Sequence, residues 1–451
     1  MSRLNRLPIY WPAAYRLNNM KQTSPWYYIP SLYFLEGMPY IIINTVSVVF
    51  YGDLGYTNEQ IAFWTGWLYL PWILKMFWSP FIDGHSTKRN WLLGMQMGMA
   101  AMFLLIALLH FYNAFTHAQA ITTTPFLMLS LGGFALAAFV SASLDIATDG
   151  YYLLVLTPSQ QGYFVGIRTI FYRLAMIFGS GLLISATGAL ASSLPKYQNW
   201  TVMFVFLALL FAGICLWHKF ILPVPPNDKP AADTTQKSVW ADAFKTYFTQ
   251  KNIIYILLFI LLYRFGEALL EKMVPLFLLK PVEEGALGMS MQQYGLIKGT
   301  LGLGAIIAGN LAGGWLLGKF GFKKCIWPFA IALVLPNFFY VYLASARPGL
   351  SAVATLITIE NFGYGLAMMA LTVFIMYVSQ GKYKTSHYAI STGIMALGMM
   401  VPSMLSGKLQ HIFGYESFFW ITALISLITF AIVPLIRHIQ AIDESEKTFH
   451  N

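Results

Sequence analysis

What most limits the fold of this chain is a series of apolar stretches, each long enough to cross a bilayer, set close together from end to end. A spanning helix takes about 20 mainly apolar residues, because in hydrocarbon the backbone must satisfy its own N–H and C=O groups. Such stretches fall near 28–51, 60–82, 91–113, 125–156, 162–190 and 199–221, and again near 252–279, 291–318, 325–344, 350–378, 386–411 and 417–437. Composition agrees: 57% of the 451 residues are hydrophobic and only 10% charged, against roughly 25% charged in soluble domains. The expectation is an all-α membrane protein with twelve transmembrane helices.

Every connection is short except 222–251, which is rich in Pro, Asp and Lys. It divides the chain into 1–221, a cytoplasmic linker 222–251, and 252–451 with a short tail. The 28 basic residues set the orientation. With both termini cytoplasmic, 18 lie in cytoplasmic segments, counting Lys219 and Arg437 at the cytoplasmic ends of their spans, and three (Lys196, Lys280, Arg347) in external loops, as the positive-inside rule requires. This distribution accounts for the net charge of +10 without a basic patch for nucleic acid. Residues 1–27 lack a short apolar core followed by a cleavage site, so the first span is expected to act as its own insertion signal. Cys215 and Cys325 are placed for neither a disulfide nor a metal, and no cofactor is expected.

The two sets of spans read as repeats. "GYTNEQ" (Gly55–Gln60) precedes the second span and "GMSMQQ" (Gly288–Gln293) the eighth, each with a hydroxyl residue three positions before Gln. That spacing is a helix-start capping box. The spans that follow end at Lys88-Arg89 and Lys323-Lys324. Two six-helix bundles joined by a cytoplasmic linker are the architecture of a major facilitator fold, in which solute binds near the midplane between the halves.

Charged residues inside spans are costly, so each is a candidate for function or pairing. Arg264, Glu267 and Glu271 in "ILLYRFGEALLEKMVPLFLL" fall within about 60° of one another on a helix, and Lys272 is close enough to the external end to snorkel. In the fourth and fifth spans, Asp145 and Arg173 are expected at matched depth, ~16 Å from the cytoplasmic ends, and Asp149 and Arg168 at ~10 Å. Two ion pairs follow, Asp145 with Arg173 and Asp149 with Arg168, serving as struts or as gates. Glu36, Glu267 and Glu360 are the proton-carrier candidates, since a carboxylate shielded from water can exchange a proton near neutrality. Lys75 sits among Trp67, Trp72 and Trp78 in the second span. No nucleophile–base set occurs within the spans, which disfavours an enzyme.

The most specific stretches are "LPWILKMFWSPFID" (Leu70–Asp83), "DIATDGYY" (Asp145–Tyr152), "YRLAM" (Tyr172–Met176), "YRFGEA" (Tyr263–Ala268) and the long segment from Glu360 to Gly393 beginning "ENFGYGLAMM". Over nearly its whole length the chain resembles the branch of the major facilitators that holds AmpG-type muropeptide permeases and acetyl-CoA transporters. The resemblance implies a carrier of the bacterial inner membrane that imports N-acetylglucosaminyl-anhydromuramic acid and its peptide derivatives with protons. It matches Asp145, Asp149, Arg173, Arg264, Glu267, Glu360 and Asn361 to polar positions of the family pattern. Leu144 stands where relatives often have Gln, and Arg168 and the Glu271-Lys272 pair look like additions. These departures leave room for a related sugar conjugate as the substrate. A carrier for an acyl-CoA, another sugar or a drug is a competing function, as is an enzyme acting on lipid-linked sugar.

On this reading the chain is a monomer in the bilayer, taking a small-molecule substrate and protons. Arg264, Lys75, Asn361, Tyr263 and Tyr364 are the substrate-binding candidates. Asp83, in a loose version ("IDGHSTKRN") of the facilitator loop signature, is a candidate cytoplasmic latch or helix cap.

Overall fold

The computed structural model describes residues 23–116, 122–195, 197–229, 236–380, 384–439 and 442. Among these residues the chain is helical, with no strand. The helices are α1 (Pro25–Leu54), α2 (58–85), α3 (Lys88–Thr116), α4 (Thr124–Val155), α5 (158–190), α6 (Gln198–Ile221), α7 (Gln236–Phe248), α8 (Ile253–Leu279), α9 (Met291–Phe320), α10 (Phe322–Ala346), α11 (Leu350–Val378), α12 (384–413) and α13 (415–438). Among the described residues, ten helical segments are long and apolar enough to cross a membrane. One of them, Ser386–His438, holds both α12 and α13, because the chain turns at Gly414 with φ 73°, a backbone region glycine enters without steric cost. With α2 the spanning helices described here number twelve.

Both expected capping boxes are present. Thr57 Oγ1 accepts from the Gln60 N–H at 3.2 Å, and Ser290 Oγ accepts from the Gln293 N–H at 3.2 Å, with each Gln side chain returning a bond to its cap. The segment 222–251 is more than a tether. It carries α7, whose Tyr247 hydroxyl meets Ser391 Oγ at 2.8 Å while the Phe244 ring stacks near Phe77 of α2 at 6.4 Å. Upstream, Asp228 accepts from the backbone N–H groups of Lys88 and Arg89 at 2.7 and 3.0 Å. The carboxylate that caps α3 therefore comes from Asp228. The side chain of Asp83, expected as a latch or cap, lies outside the described residues.

The halves meet unequally along their length. At the end carrying the turns 55–57 and 280–290, a single apolar cluster crosses both halves and includes Phe50 and Trp200 with Phe277 and Phe419. Toward the other end the clusters separate, one around Tyr28, Tyr151 and Phe164, another around Phe259, Ile326 and Phe374. In lipid, small residues let helices associate by letting their backbones approach. Here α5 and α9 meet so closely that a Cβ at Gly299 would run into the Ser180 carbonyl. Polar contacts join the same end: Asn58 Nδ2 donates to Gln410 Oε1 and the Tyr415 hydroxyl, both at 2.7 Å, and Lys280 Nζ reaches the Tyr56 carbonyl at 3.3 Å.

Candidate functional site

Between the halves lies a cavity of about 530 Å³. The helices around it depart from regular α geometry where they face it. α1 contains Pro39 and then a π segment, Ile42–Val46. α9 has a longer one, Gly295–Gly302. α8 is broken into Ile253–Leu262 and Phe265–Leu279, with Tyr263 and Arg264 in the break. Such interruptions are tolerated at membrane depth where the freed backbone groups find partners or line a cavity. In α8 the carbonyl of Tyr263 accepts from Thr429 Oγ1 at 3.1 Å.

The break turns Arg264, Glu267 and Glu271 together into the cavity. Arg264 donates to the Tyr364 hydroxyl and lies over that ring, 4.9 Å from its centroid. Its Nε is buried without a partner, as is Oε1 of Glu267. Glu271 accepts through Oε1 from the Tyr69 hydroxyl of α2, a contact from one half to the other. Lys272, expected to snorkel outward, is instead fully buried: its Nζ donates to the Asn44 carbonyl at 2.8 Å and sits 5.0 Å from the Tyr69 ring. The π segment that begins at Ile42 places that carbonyl on α1, opposite α8.

On the wall formed by α9 and α11, Lys298 is central. Its ammonium lies 3.2 Å from Glu360 Oε2 and 3.2 Å from Asn361 Oδ1. The same carboxylate oxygen accepts from the Tyr340 hydroxyl at 3.0 Å and from Asn361 Nδ2 at 2.7 Å. Lys298 and Tyr340 line the cavity, and reasoning from the sequence misses both as site candidates. A lone lysine inside the eighth apolar stretch is the available signal, since an intramembrane ionisable group is a site candidate by default.

In the first half, Arg168 Nη1 meets Asp149 Oδ1 at 3.0 Å, and the Tyr33 hydroxyl donates to the same oxygen at 2.9 Å. The other expected pair is not formed. Asp145 is joined to Lys75 of α2 at 3.4 Å, and Arg173 faces the cavity, where its Nη1 meets Met176 Sδ at 3.6 Å. Matched depth suggests pairing Asp145 with Arg173, but depth does not decide which face of a helix a side chain leaves from. Lys75 lines the cavity with its charge already matched. Glu36 is buried beside this cluster with Oε2 unpartnered, and it is not among the residues lining the cavity. Tyr263 is likewise absent from the lining. Its ring is fully buried against Phe259, 4.9 Å between centroids, because it leaves the α8 break toward the core while Arg264 leaves toward the cavity. Asn361 and Tyr364 do line it.

The sequence model described as Major Facilitator Superfamily matches residues 31–386 and 276–450. A protein of Rickettsia felis named "Putative transporter AmpG 4" is 27% identical over 407 residues, covering 87% of this chain and 92% of that one. The "Anhydromuropeptide permease" of Escherichia coli K12 is 25% identical over 353 residues, covering 77% and 67%. Among solved structures, an inward-facing, unoccupied bacterial homologue of the human lysosomal transporter Spinster superposes with a TM-score of 0.70 at 13% identity, covering 94% and 98%. A D-xylose-proton symporter does so with 0.66 at 14%, covering 90% and 96%. At these identities the structural likenesses establish the fold.

Proposed function

The chain belongs to the Major Facilitator Superfamily, and on that premise we propose that it is a proton-coupled secondary transporter importing an anhydromuropeptide-like amino sugar across the inner membrane. The observation that carries this reading is the cavity between the halves. Its volume of about 530 Å³ is within the range of small-ligand sites. Tyr40, Tyr69, Trp72 and Tyr364 give it ring faces for a sugar, and Arg264, Glu267 and Asn361 give it groups for an acid, a proton and an amide. The solute class is taken from the relative named a permease for anhydromuropeptide, which aligns over most of this chain.

Residues 1–221 and 252–451 act as the two bundles, joined by 222–251, and rock about the site to expose it to each side in turn. With both termini cytoplasmic, as the basic residues favour, the closed end bearing Asn58, Gln410 and Tyr415 faces outward and the cavity is presented to the cytoplasm. Glu267 is the leading proton carrier, because it lines the cavity with Oε1 buried and unpartnered. Glu271 also has one oxygen without a partner, but its other oxygen is held by Tyr69. Glu360 is engaged by Lys298, Tyr340 and Asn361, and Glu36 is off the cavity. The carrier works as a monomer and needs no cofactor.

Counterflow tests the reading without a driving force. Proteoliposomes loaded with unlabelled N-acetylglucosaminyl-anhydromuramic acid should take up a transient excess of the labelled sugar from outside. Loading with an unrelated neutral disaccharide should give none, and equal signals from the two loads would refute the assignment.

A further inference from the structure

Lys75, Arg173, Arg264 and Lys298 all line the cavity, and they differ in what answers their charge. Lys75 has Asp145 at 3.4 Å and Lys298 has Glu360 at 3.2 Å. Among the described residues neither Arg173 nor Arg264 has a carboxylate within 4.0 Å. Among the described residues the Arg173 guanidinium makes one hydrogen bond, to the sulfur of Met176, and Arg264 spends one nitrogen on the Tyr364 hydroxyl while its Nε stays buried and unpartnered. Arg173 belongs to α5 in the first half and Arg264 to the break of α8 in the second. Both line the same cavity, one from each half, together with Tyr40 and Tyr364. Glu267 and Glu271 share that wall of α8, but Glu271 is engaged by Tyr69 and neither acid is in contact with a guanidinium.

We propose that Arg173 and Arg264 form a clamp, one arginine from each half, that binds the carboxylate of the solute and so makes this carrier selective for sugar acids over their neutral counterparts. A guanidinium presents several donors in a fixed plane that match a carboxylate. A buried one left without a partner is costly, and an incoming anion removes that cost. Because the two donors sit on different halves, the anion becomes a tie across the interface that has to close during the transport cycle. This selectivity rests on the reading above for the particular sugar. It does not rest on it for the ligand chemistry, which is any sugar acid of suitable size.

The test is binding to the purified full chain, followed by fluorescence of its tryptophans (Trp72 lines the cavity) or by calorimetry. The ligands are N-acetylglucosaminyl-anhydromuramic acid and its carboxamide, with N-acetylmuramic acid and its carboxamide as a second pair. The clamp predicts that the protein prefers each acid over its amide by about tenfold or more, as expected for charged hydrogen bonds, and that Arg173→Gln brings the ratio close to one. Arg173→Lys keeps the charge without the planar fork and should retain part of the preference, and it serves where the Gln variant does not fold. If Arg173→Gln weakens acid and amide equally, or leaves the ratio intact, the clamp is overturned while the transport reading stands. If the anhydro-sugars do not bind but N-acetylmuramic acid binds over its amide through Arg173, the clamp stands and the anhydromuropeptide reading falls. If neither acid is preferred over its amide, the clamp is overturned.

Discussion

Lys298 of α9 holds Glu360 of α11 at 3.2 Å across one wall of the central cavity, and Tyr340 and Asn361 close on the same carboxylate oxygen at 3.0 and 2.7 Å. Three donors converging on one buried oxygen make this the best-satisfied charge on the lining. It fixes the second half's wall of the site, where Glu267, one wall over, has an oxygen left free.

Removing Lys298 alone should therefore be worse than removing both charges. Lys298→Met leaves an uncompensated carboxylate, at a cost of about 3 kcal/mol, whereas Lys298→Met with Glu360→Gln leaves a neutral amide among neutral donors. The check is thermal melting of the purified variants: the single variant should melt well below the wild type, and the double variant should recover much of the difference.

Asp145 should couple to Lys75 and not to Arg173. A double-mutant cycle on Asp145→Asn and Lys75→Gln should give an interaction of about 1 kcal/mol, small because the lysine side chain is 40% exposed. The cycle of Asp145→Asn with Arg173→Gln should give close to zero. Melting temperatures or denaturant midpoints supply the values.

Gly299→Val should hinder closure of the end at which α5 and α9 meet, since a Cβ there collides with the Ser180 carbonyl. In a background with Cys215 and Cys325 replaced, a cysteine introduced at Ser180 reports on that end. It should react faster with a membrane-impermeant maleimide added from the outside when the Gly299→Val substitution is also present. Uptake should fall at least tenfold, because one of the two alternating states is disfavoured.

Glu267→Gln should separate binding from coupling. A glutamine keeps the shape of the side chain and cannot carry a proton, so the variant should bind sugar and catalyse counterflow with less than tenfold loss, while gradient-driven accumulation disappears. Labelled sugar measured in both modes on the same proteoliposomes gives the comparison.

The spans and the starts of α2 and α9 were legible in the sequence because each is encoded within a few residues: a run of apolar side chains, or a hydroxyl three positions before Gln. The contact of Asp149 with Arg168 was also legible, since both lie near the same short connection between α4 and α5. Contacts that depend on which way a helix faces were not. Asp145 turns to Lys75, 70 positions away, and Lys298 finds Glu360, 62 positions away. Tyr263 and Arg264 are adjacent, yet the break in α8 sends one to the core and the other to the cavity. The face of an interrupted helix cannot be extrapolated from a period of 3.6 residues, and the two residues of the break, Tyr263 and Arg264, are themselves neither Gly nor Pro.

The cavity is proposed to carry an amino-sugar acid inward with protons. Uptake of radiolabelled N-acetylglucosaminyl-anhydromuramic acid into proteoliposomes, with and without an imposed inward proton gradient, decides this. Uptake should exceed that of protein-free liposomes, rise severalfold with the gradient and be lost when an ionophore collapses it. Uptake no greater than into protein-free liposomes, from protein shown to be folded, would contradict the claim.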